Sequence, residues 1–158
     1  MTRLRVPVPL RWADLDAYGH VNNVEVLRLL EEARIAAFWR HPEAHEAWPT
    51  ALLDAGPGAP THTLVARQEI EYLLPLGYRR EPVVVEMWIG HLGGASIDVC
   101  YEVTATADGE RVVYVRAQTT LVLVDAATAR PRRIAEAERT AWRPYLGEPV
   151  AMRRRPAG

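Results

Sequence analysis

The sequence of 158 residues contains no lysine, so all 19 of its basic residues are arginine. Schiff-base chemistry therefore has no amine side chain, and any phosphate contact must come from arginine or from backbone N–H groups. Cysteine is almost absent as well: Cys100 stands alone, which rules out an intrachain disulfide and fits a reducing compartment. We therefore expect a cytoplasmic protein.

Long apolar runs and a strong net charge are also missing. No stretch approaches the ~20 apolar residues that cross a bilayer, and Met1–Leu10 lacks the apolar segment of a signal peptide. The formal net charge of −1 gives no general attraction to nucleic acid or to an anionic membrane. We expect neither nucleic acid nor a membrane as a partner.

The composition that remains is that of an ordinary globular domain. Hydrophobic residues make up 49% of the sequence and charged residues 25%, which supports a packed core. The length suits one domain, and we expect it to span residues 1–158. From about residue 130 the pattern is charged and partly helical in character, but Pro131 and Pro144 interrupt it, which predicts an irregular C-terminal tail.

The first part of the chain predicts one strand followed by one helix. The strand is expected at Arg5–Trp12, and a polar loop follows at Ala13–Asn23. Val24–Trp39 has neither proline nor glycine and repeats apolar residues at helical spacing, which predicts a helix of about four turns that is buried on several sides. Asn22 and Glu25 have the spacing of a capping box at its start.

The rest of the chain predicts an irregular connection and then four strands. The connection, His41–Thr61, is expected to contain a short helical turn near Thr50–Asp54. The strands are expected at Thr63–Leu73, Val83–His91, Ser96–Ala107 and Glu110–Val124. Gly93-Gly94 and Asp108-Gly109 are hairpin signals, so these strands should be antiparallel. This order of elements predicts an α+β domain whose sheet wraps the helix.

The polar loop before the helix is the best candidate for chemistry. A carboxylate close to a helix N-terminus can activate water or attack directly, while free N–H groups at that terminus stabilise an oxyanion. Asp16 has this position. The alternative is that Asp16 only caps a turn, and Asp14 could either raise the pKa of Asp16 or be a solvated loop carboxylate.

The loop also carries a family resemblance, in the string Arg11-Trp12-Ala13-Asp14-Leu15-Asp16-Ala17-Tyr18-Gly19-His20-Val21-Asn22-Asn23. It resembles the signature of hotdog-fold thioesterases related to 4-hydroxybenzoyl-CoA thioesterase. Three later segments agree in order and spacing: Glu71–Leu76, Val83–Ile89 and Gly90–Ser96. The resemblance covers roughly Val6–Val124. It implies a hotdog fold, in which a five-stranded antiparallel sheet wraps a long central helix.

The resemblance also implies roles for individual residues. Asp16 would be the general base or the nucleophile, a backbone N–H near Asn23 would polarise the thioester carbonyl, and His20 would assist. Asn22 and Asn23 could equally be helix caps. The expected substrate-binding residues are Gly19, Asn22, Tyr72, Ser96 and Arg67.

The expected reaction is hydrolysis of an acyl-CoA or acyl-carrier-protein thioester without a cofactor. We expect a homodimer or homotetramer, because long apolar strands such as Val83–Ile89 leave an edge that needs cover. The resemblance implies the same, with active sites shared between subunits. Two other functions stay open: a non-catalytic acyl-thioester binding protein, and a hotdog hydratase or dehydratase.

Other chemistries have weaker support. Cys100 lies within a predicted strand and is expected to be a small buried residue rather than a nucleophile. Gly-Gly-Ala-Ser at Ser96 is not the nucleophile elbow of a serine hydrolase. We expect no metal site, because the remaining histidines lack metal-ligand spacing: His41, His45, His62 and His91.

Overall fold

The computed structural model describes residues 1–43 and 47–153 of the chain. This part contains, in order, β1 (Leu4–Val8), α1 (Asn23–Phe38), β2 (Thr61–Tyr72), β3 (Val83–Leu92), β4 (Ser96–Ala107), β5 (Glu110–Asp125) and α2 (Glu136–Trp142). Two short 3₁₀ turns, Trp12–Asp14 and Arg143–Tyr145, follow β1 and α2. None of the described helices is both long and apolar enough to cross a membrane.

The five strands form one antiparallel sheet in the order β1-β3-β4-β5-β2. The β4–β5 hairpin turns at Asp108 (φ 51°) and Gly109 (φ 81°), and this pair of positive φ values suits the right-handed twist of the two strands. The α+β class and the five-stranded antiparallel sheet predicted from the sequence are confirmed. The predicted strands match the observed ones to within two residues, except at β1.

Helix α1 packs one face against the sheet. Its buried residues include Val26, Leu30, Ala33 and Ala37, at the spacing of a single helical stripe, whereas Ile35 is exposed. The predicted burial on several sides is therefore wrong. The predicted length of about four turns is confirmed by the 16 residues of α1. The description as a long helix is wrong, because α1 rises about 24 Å, less than half the span of the 16-residue strand β5.

Two other local predictions need correction. Strand β1 ends at Val8 rather than at Trp12, because Pro9 has no N–H for the ladder and the chain then enters a 3₁₀ turn. No helical turn forms at Thr50–Asp54. Instead this segment pairs with the end of α1, where Leu53 N donates to Phe38 O (3.0 Å) and Arg40 N donates to Leu53 O (2.7 Å).

The C-terminal part of the chain is built into the fold, which corrects the predicted irregular tail. Helix α2 buries Trp142 completely, edge-on to Phe38 at 5.9 Å between ring centroids. The Trp142 indole N–H donates to Thr50 O (3.0 Å). Beyond α2 the chain follows the outer face of the sheet, where the Trp88 indole N–H donates to Glu148 O (2.7 Å). Residues 154–158, the end of the predicted tail, lie outside the described residues.

The edges of the sheet differ from the prediction. Val83–Ile89 belongs to β3, which pairs with β1 on one side and β4 on the other, so it offers no free edge. The edge strands are β1 and β2. Strand β1 is only five residues long and carries Pro7, whereas β2 is 12 residues long and mostly exposed. Strand β2 is therefore the edge that could accept another strand.

Candidate active site

The loop between β1 and α1 is anchored by Asp14. This side chain is fully buried; its Oδ2 accepts from Arg11 N (2.7 Å) and its Oδ1 from the Arg11 guanidinium (2.8 Å to Nη2). Burial alone would raise the pKa of Asp14, but the hydrogen bonds from Arg11 outweigh it and hold the pKa below its ordinary value. Asp14 is thus a buried structural anion, and the prediction of a solvated loop carboxylate is wrong.

Asp16 lies two residues further on, in a tight turn, and is only partly buried. Its Oδ1 accepts from two backbone donors, Tyr18 N (2.8 Å) and His20 N (3.1 Å), while Asp16 N donates to His20 O (2.7 Å). Gly19 completes this turn with a φ of 76°, a conformation that costs glycine little. Oδ2 accepts no hydrogen bond from the described residues. One oxygen therefore caps the turn, as the alternative interpretation proposed, and the other is available for chemistry.

The N-terminus of α1 follows the turn directly. Asn22 is the N-cap residue and its Oδ1 accepts from Val24 N (3.0 Å). The predicted capping box does not form, because the Glu25 carboxylate instead lies 3.5 Å from Arg28 Nε and 3.8 Å from Arg11 Nη2. Asn23 is the first helical residue, and its N–H belongs to the set that has no acceptor within a helix.

Tyr72, at the end of β2, reaches this helix terminus from the other side. Its hydroxyl donates to Asn23 O (2.8 Å) across 49 positions of sequence. Burial raises the pKa of Tyr72, so its hydroxyl stays protonated at neutral pH. The hydrogen bond ties the edge strand to the first turn of α1.

These groups surround one cavity of about 320 Å³. The position of its far wall is set by backbone hydrogen bonds: Val21 N donates to Leu76 O (2.7 Å), and His20 forms a bridge with Gly77. The cavity is lined by Asp16, His20, Val21, Asn23, Val26, Tyr72, Leu73, Leu74, Pro75, Leu76 and Val115. The cavity therefore brings together four predicted site residues: Asp16, His20, Asn23 and Tyr72. Two more do not line it but shape its backbone: Gly19 completes the Asp16 turn, and Asn22 caps the helix that begins at Asn23.

Two other predicted site residues do not join this cavity within the chain. Arg67 is exposed on β2 and contacts Glu69 (3.1 Å). Ser96 begins β4 opposite Val122, seven residues along β5 from the cavity residue Val115, or about 23 Å at the usual strand rise. Either residue could meet the cavity only across a subunit boundary.

The apolar walls of the cavity were not predicted as site residues. Val21, Val26 and Val115 were not singled out, because an isolated valine carries no signal for a site. The segment Glu71–Leu76 did carry one, since its string of residues contributed to the family resemblance. Its four cavity residues after Tyr72, Leu73 to Leu76, could therefore have been predicted from the sequence.

The other candidates lie apart from the cavity. Cys100 is buried in β4, as predicted, and burial raises the pKa of its thiol, which disfavours the nucleophilic thiolate. Within residues 1–43 and 47–153, no group of three or more histidine, cysteine, aspartate or glutamate side chains could hold a metal ion. His45 lies outside the described residues.

Comparison with protein families places the chain among thioesterases. The model of the thioesterase-like superfamily matches residues 10–148, which include the whole Asp16 loop and all the residues that line its cavity. A comparison with curated proteins gave no match.

Solved structures give the same assignment. A Thermus thermophilus thioesterase, solved with coenzyme A and zinc, is 34% identical with a TM-score of 0.66, over 92% of this chain and 96% of its own. A proposed thioesterase from Pseudomonas aeruginosa is 30% identical with a TM-score of 0.70, over 89% and 98%. A proposed acyl-CoA thioesterase from Xanthomonas campestris is 26% identical with a TM-score of 0.55, over 75% and 90%.

Proposed function

The chain belongs to the thioesterase-like superfamily and is a thioester hydrolase, and we propose that it hydrolyses acyl-CoA with Asp16 as the catalytic carboxylate. The observation that carries this proposal is the environment of Asp16. One carboxylate oxygen is held by two backbone N–H groups, and the other has no partner among the described residues, beside a helix N-terminus and a cavity. A held carboxylate with one free oxygen is suited to act on water or on a carbonyl carbon.

The reaction breaks the bond between the acyl carbon and sulfur and forms a bond to a water oxygen. As a general base, Asp16 takes a proton from the attacking water, and the departing CoA thiolate is protonated to the thiol. As a nucleophile, Asp16 forms a mixed anhydride with the acyl group, which water then hydrolyses. Both routes give a carboxylic acid and free CoA, and both pass through a tetrahedral oxyanion.

The N-terminus of α1 is the proposed site for that oxyanion. The first N–H groups of a helix point outward and carry partial positive charge, so Asn23 N is placed to polarise the thioester carbonyl. The Tyr72 hydroxyl supports this arrangement by binding Asn23 O. His20, which lines the cavity beside Asp16, is proposed to assist by donating to the substrate.

CoA is the proposed carrier because one similar structure holds coenzyme A and another belongs to a proposed acyl-CoA thioesterase. All these relatives are named as thioesterases, which favours hydrolysis over binding alone or hydration. Kinetics on matched acyl-CoA and acyl-carrier-protein substrates would decide between the two carriers.

A second copy of the chain is proposed to complete the site. Strand β2 is a long exposed edge, and its last residue, Tyr72, lines the Asp16 cavity. A strand of the partner added to β2 would therefore lie beside the cavity and could bring Ser96 or Arg67 of the second copy to it. Within one chain neither residue reaches the cavity.

The decisive experiment measures thiol release from acyl-CoA by the purified protein and by Asp16→Asn. We expect the variant to lose at least about a hundredfold in kcat while its circular dichroism spectrum stays unchanged, since only the reacting carboxylate is neutralised. Asp54→Asn is the matched control, because Asp54 is a surface carboxylate near Arg40 (3.4 Å) and lies outside the cavity. Near-normal turnover by Asp16→Asn would rule out the proposed role.

A further inference from the structure

Arg34 is a buried cation without a counter-charge. It lies on the inner face of α1 and only 4% of its surface is exposed. Its Nη1 donates to the Tyr101 hydroxyl (3.2 Å), its Nε has no hydrogen-bond partner, and no carboxylate of the described residues lies within 4.0 Å. Burying an uncompensated guanidinium is costly, so such a group usually has a partner.

Tyr101 does not supply the missing charge. It is completely buried, and burial raises the pKa of its phenol, so it is neutral at physiological pH. The four buried acids of the described residues, in contrast, each contact an arginine: Asp14, Glu86, Glu102 and Glu138. Among the buried charged side chains of the described residues, Arg34 is therefore the exception, because each of the others is paired with an opposite charge.

The Arg34 side chain lines a cavity of about 290 Å³ between α1 and the edge strand β2. The other lining residues are mainly apolar: Glu31, Ile35, Trp39, Ala55, Thr63, Val65 and Leu121. Glu31 is the one acid among them, and its side chain is exposed at the rim rather than paired with Arg34. The cavity thus combines apolar walls with one unpaired, buried cation.

This cavity and the Asp16 cavity lie on the same face of the sheet. Tyr72 and Val115 line the first and are paired across β2 and β5; Val65 and Leu121 line the second and are paired likewise. Val115 and Leu121 are six residues apart and so point to the same side of β5. A bulge between Val65 and Arg67 restores the same facing on β2.

The length of α1 gives the separation between the Asp16 cavity, at the helix N-terminus, and Arg34. From Asn23 to Arg34 the helix rises about 16 Å, and an arginine side chain leans back toward the helix N-terminus. The distance that remains between the N-terminus of α1 and the Arg34 guanidinium corresponds to an acyl chain of roughly six to twelve carbons. An acyl group of that length, extended along α1 from its N-terminus, is therefore long enough to span the distance to Arg34.

We propose that the Arg34 cavity binds a carboxylate at the far end of the acyl group, so that the preferred substrates are medium-length thioesters of dicarboxylic acids. This inference rests on the proposed thioesterase function of the Asp16 site. The Nε of Arg34 has no hydrogen-bond partner among the described residues, and the planar fork of a guanidinium matches the two oxygens of a carboxylate. A methyl-ended chain of the same length leaves the cation unpaired, and this difference produces the preference.

The test compares CoA thioesters of equal chain length, octanedioyl-CoA with octanoyl-CoA and decanedioyl-CoA with decanoyl-CoA. For the unmodified protein we expect kcat/KM to favour the carboxylated member by at least about tenfold in one of the pairs. Arg34→Met should remove this preference mainly by raising KM for the carboxylated substrate. Arg28→Met is the matched control: Arg28 is on the same helix but 59% of its side chain is exposed, and it should keep the preference.

The remaining outcomes are distinct. Equal kcat/KM within both pairs for the unmodified protein would overturn the proposal. A loss by Arg34→Met on both substrates, together with a fall in oligomer content by light scattering, would also overturn it, because Arg34 would then serve a subunit interface. Calorimetric binding of free octanedioate against octanoate gives an answer that needs no turnover and no variant. Stronger binding of octanedioate supports the proposal even if the protein hydrolyses neither thioester, an outcome that would refute only the thioesterase function.

Discussion

Asp14 and Asp16 show how sharply the surroundings of two similar side chains can differ over two residues. Asp14 is enclosed and paired with Arg11, and its low pKa keeps it charged as the anchor of the loop. Asp16 is held by backbone N–H groups at one oxygen only. Asp14 thus anchors the loop that carries Asp16, whose second oxygen has no partner among the described residues.

The role of the hydrogen bond from Tyr72 to Asn23 can be tested by removing the Tyr72 hydroxyl oxygen. We expect Tyr72→Phe to lower kcat/KM by about two- to tenfold, the effect of one net hydrogen bond, because the helix terminus loses its tie to β2. Steady-state kinetics with an acyl-CoA substrate measure this. Tyr18→Phe is the control, since Tyr18 is 84% exposed beside the same loop. Equal losses in the two variants would contradict a specific role for Tyr72.

At the scale of elements, α2 closes the end of the fold opposite the start of α1. Its start is stabilised by Glu138, whose Oε2 accepts from Ala135 N (2.8 Å) and whose carboxylate pairs with Arg132 (2.6 Å). Trp142 then joins α2 to Phe38 and to the connection at Thr50. The last turn of α1 is therefore held by a segment more than 90 residues away.

This packing predicts a large effect from a residue outside the active site. Trp142→Ala should lower the free energy of unfolding by about 3–5 kcal/mol, because it opens a cavity and removes one of the two donors to Thr50 O, leaving only Leu52 N. Urea denaturation followed by circular dichroism measures the change. Trp12→Ala provides the comparison: Trp12 is 72% exposed, and we expect a loss below about 1 kcal/mol. A loss below 1 kcal/mol for Trp142→Ala would show that α2 is not part of the cooperative unit.

At the scale of the whole molecule, a network of ion pairs lies on the outer face of the sheet. Glu86 and Glu102 lie side by side and share Arg111, whose Nη2 is 2.8 Å and 2.7 Å from their carboxylates. Arg3 bridges the same pair and lies over the Trp88 ring at 4.2 Å. Burial by itself would raise the pKa of both glutamates. The hydrogen bonds from these arginines outweigh burial, so both pKa values are lowered.

The lowered pKa values predict loss of stability in acid. Unfolded glutamate has a pKa of about 4.3, so between that value and the lower native pKa the unfolded chain binds more protons than the folded one. The stabilisation is complete above about pH 5 and is lost as pH falls through the native pKa values. Urea midpoints at pH 7, 5, 4 and 3 should show this fall. Glu86→Gln should flatten it, whereas Glu81→Gln, at a side chain that is 76% exposed, should not.

The exposed edge strand predicts assembly at the same scale. We expect light scattering to show a homodimer or a multiple of it, with specific activity falling on dilution as the dimer content falls. Leu64, 53% exposed on β2, tests the interface: Leu64→Lys should shift the protein toward monomer and lower its activity. Leu146→Lys, at an exposed leucine outside β2, should do neither. A fully active monomer would refute the shared site.

The sequence alone was sufficient for features that depend on neighbours within a few residues. Alternating residues and hairpin turns located β2 to β5, the lack of proline and glycine located α1, and the Asp16 loop placed a carboxylate before a helix start. Local preferences and backbone sterics act over such distances, so the signal is present in each segment by itself.

Only the tertiary structure decided which segments meet and which side chains are buried. It placed β1 beside β3 and left β2 at the edge, buried Asp14, joined Tyr72 to Asn23, and enclosed Arg34 without a counter-charge. These outcomes depend on contacts between residues that are tens of positions apart. Whether a charged side chain is exposed, paired or left alone is set by what packs over it, and no local pattern of residues contains that information.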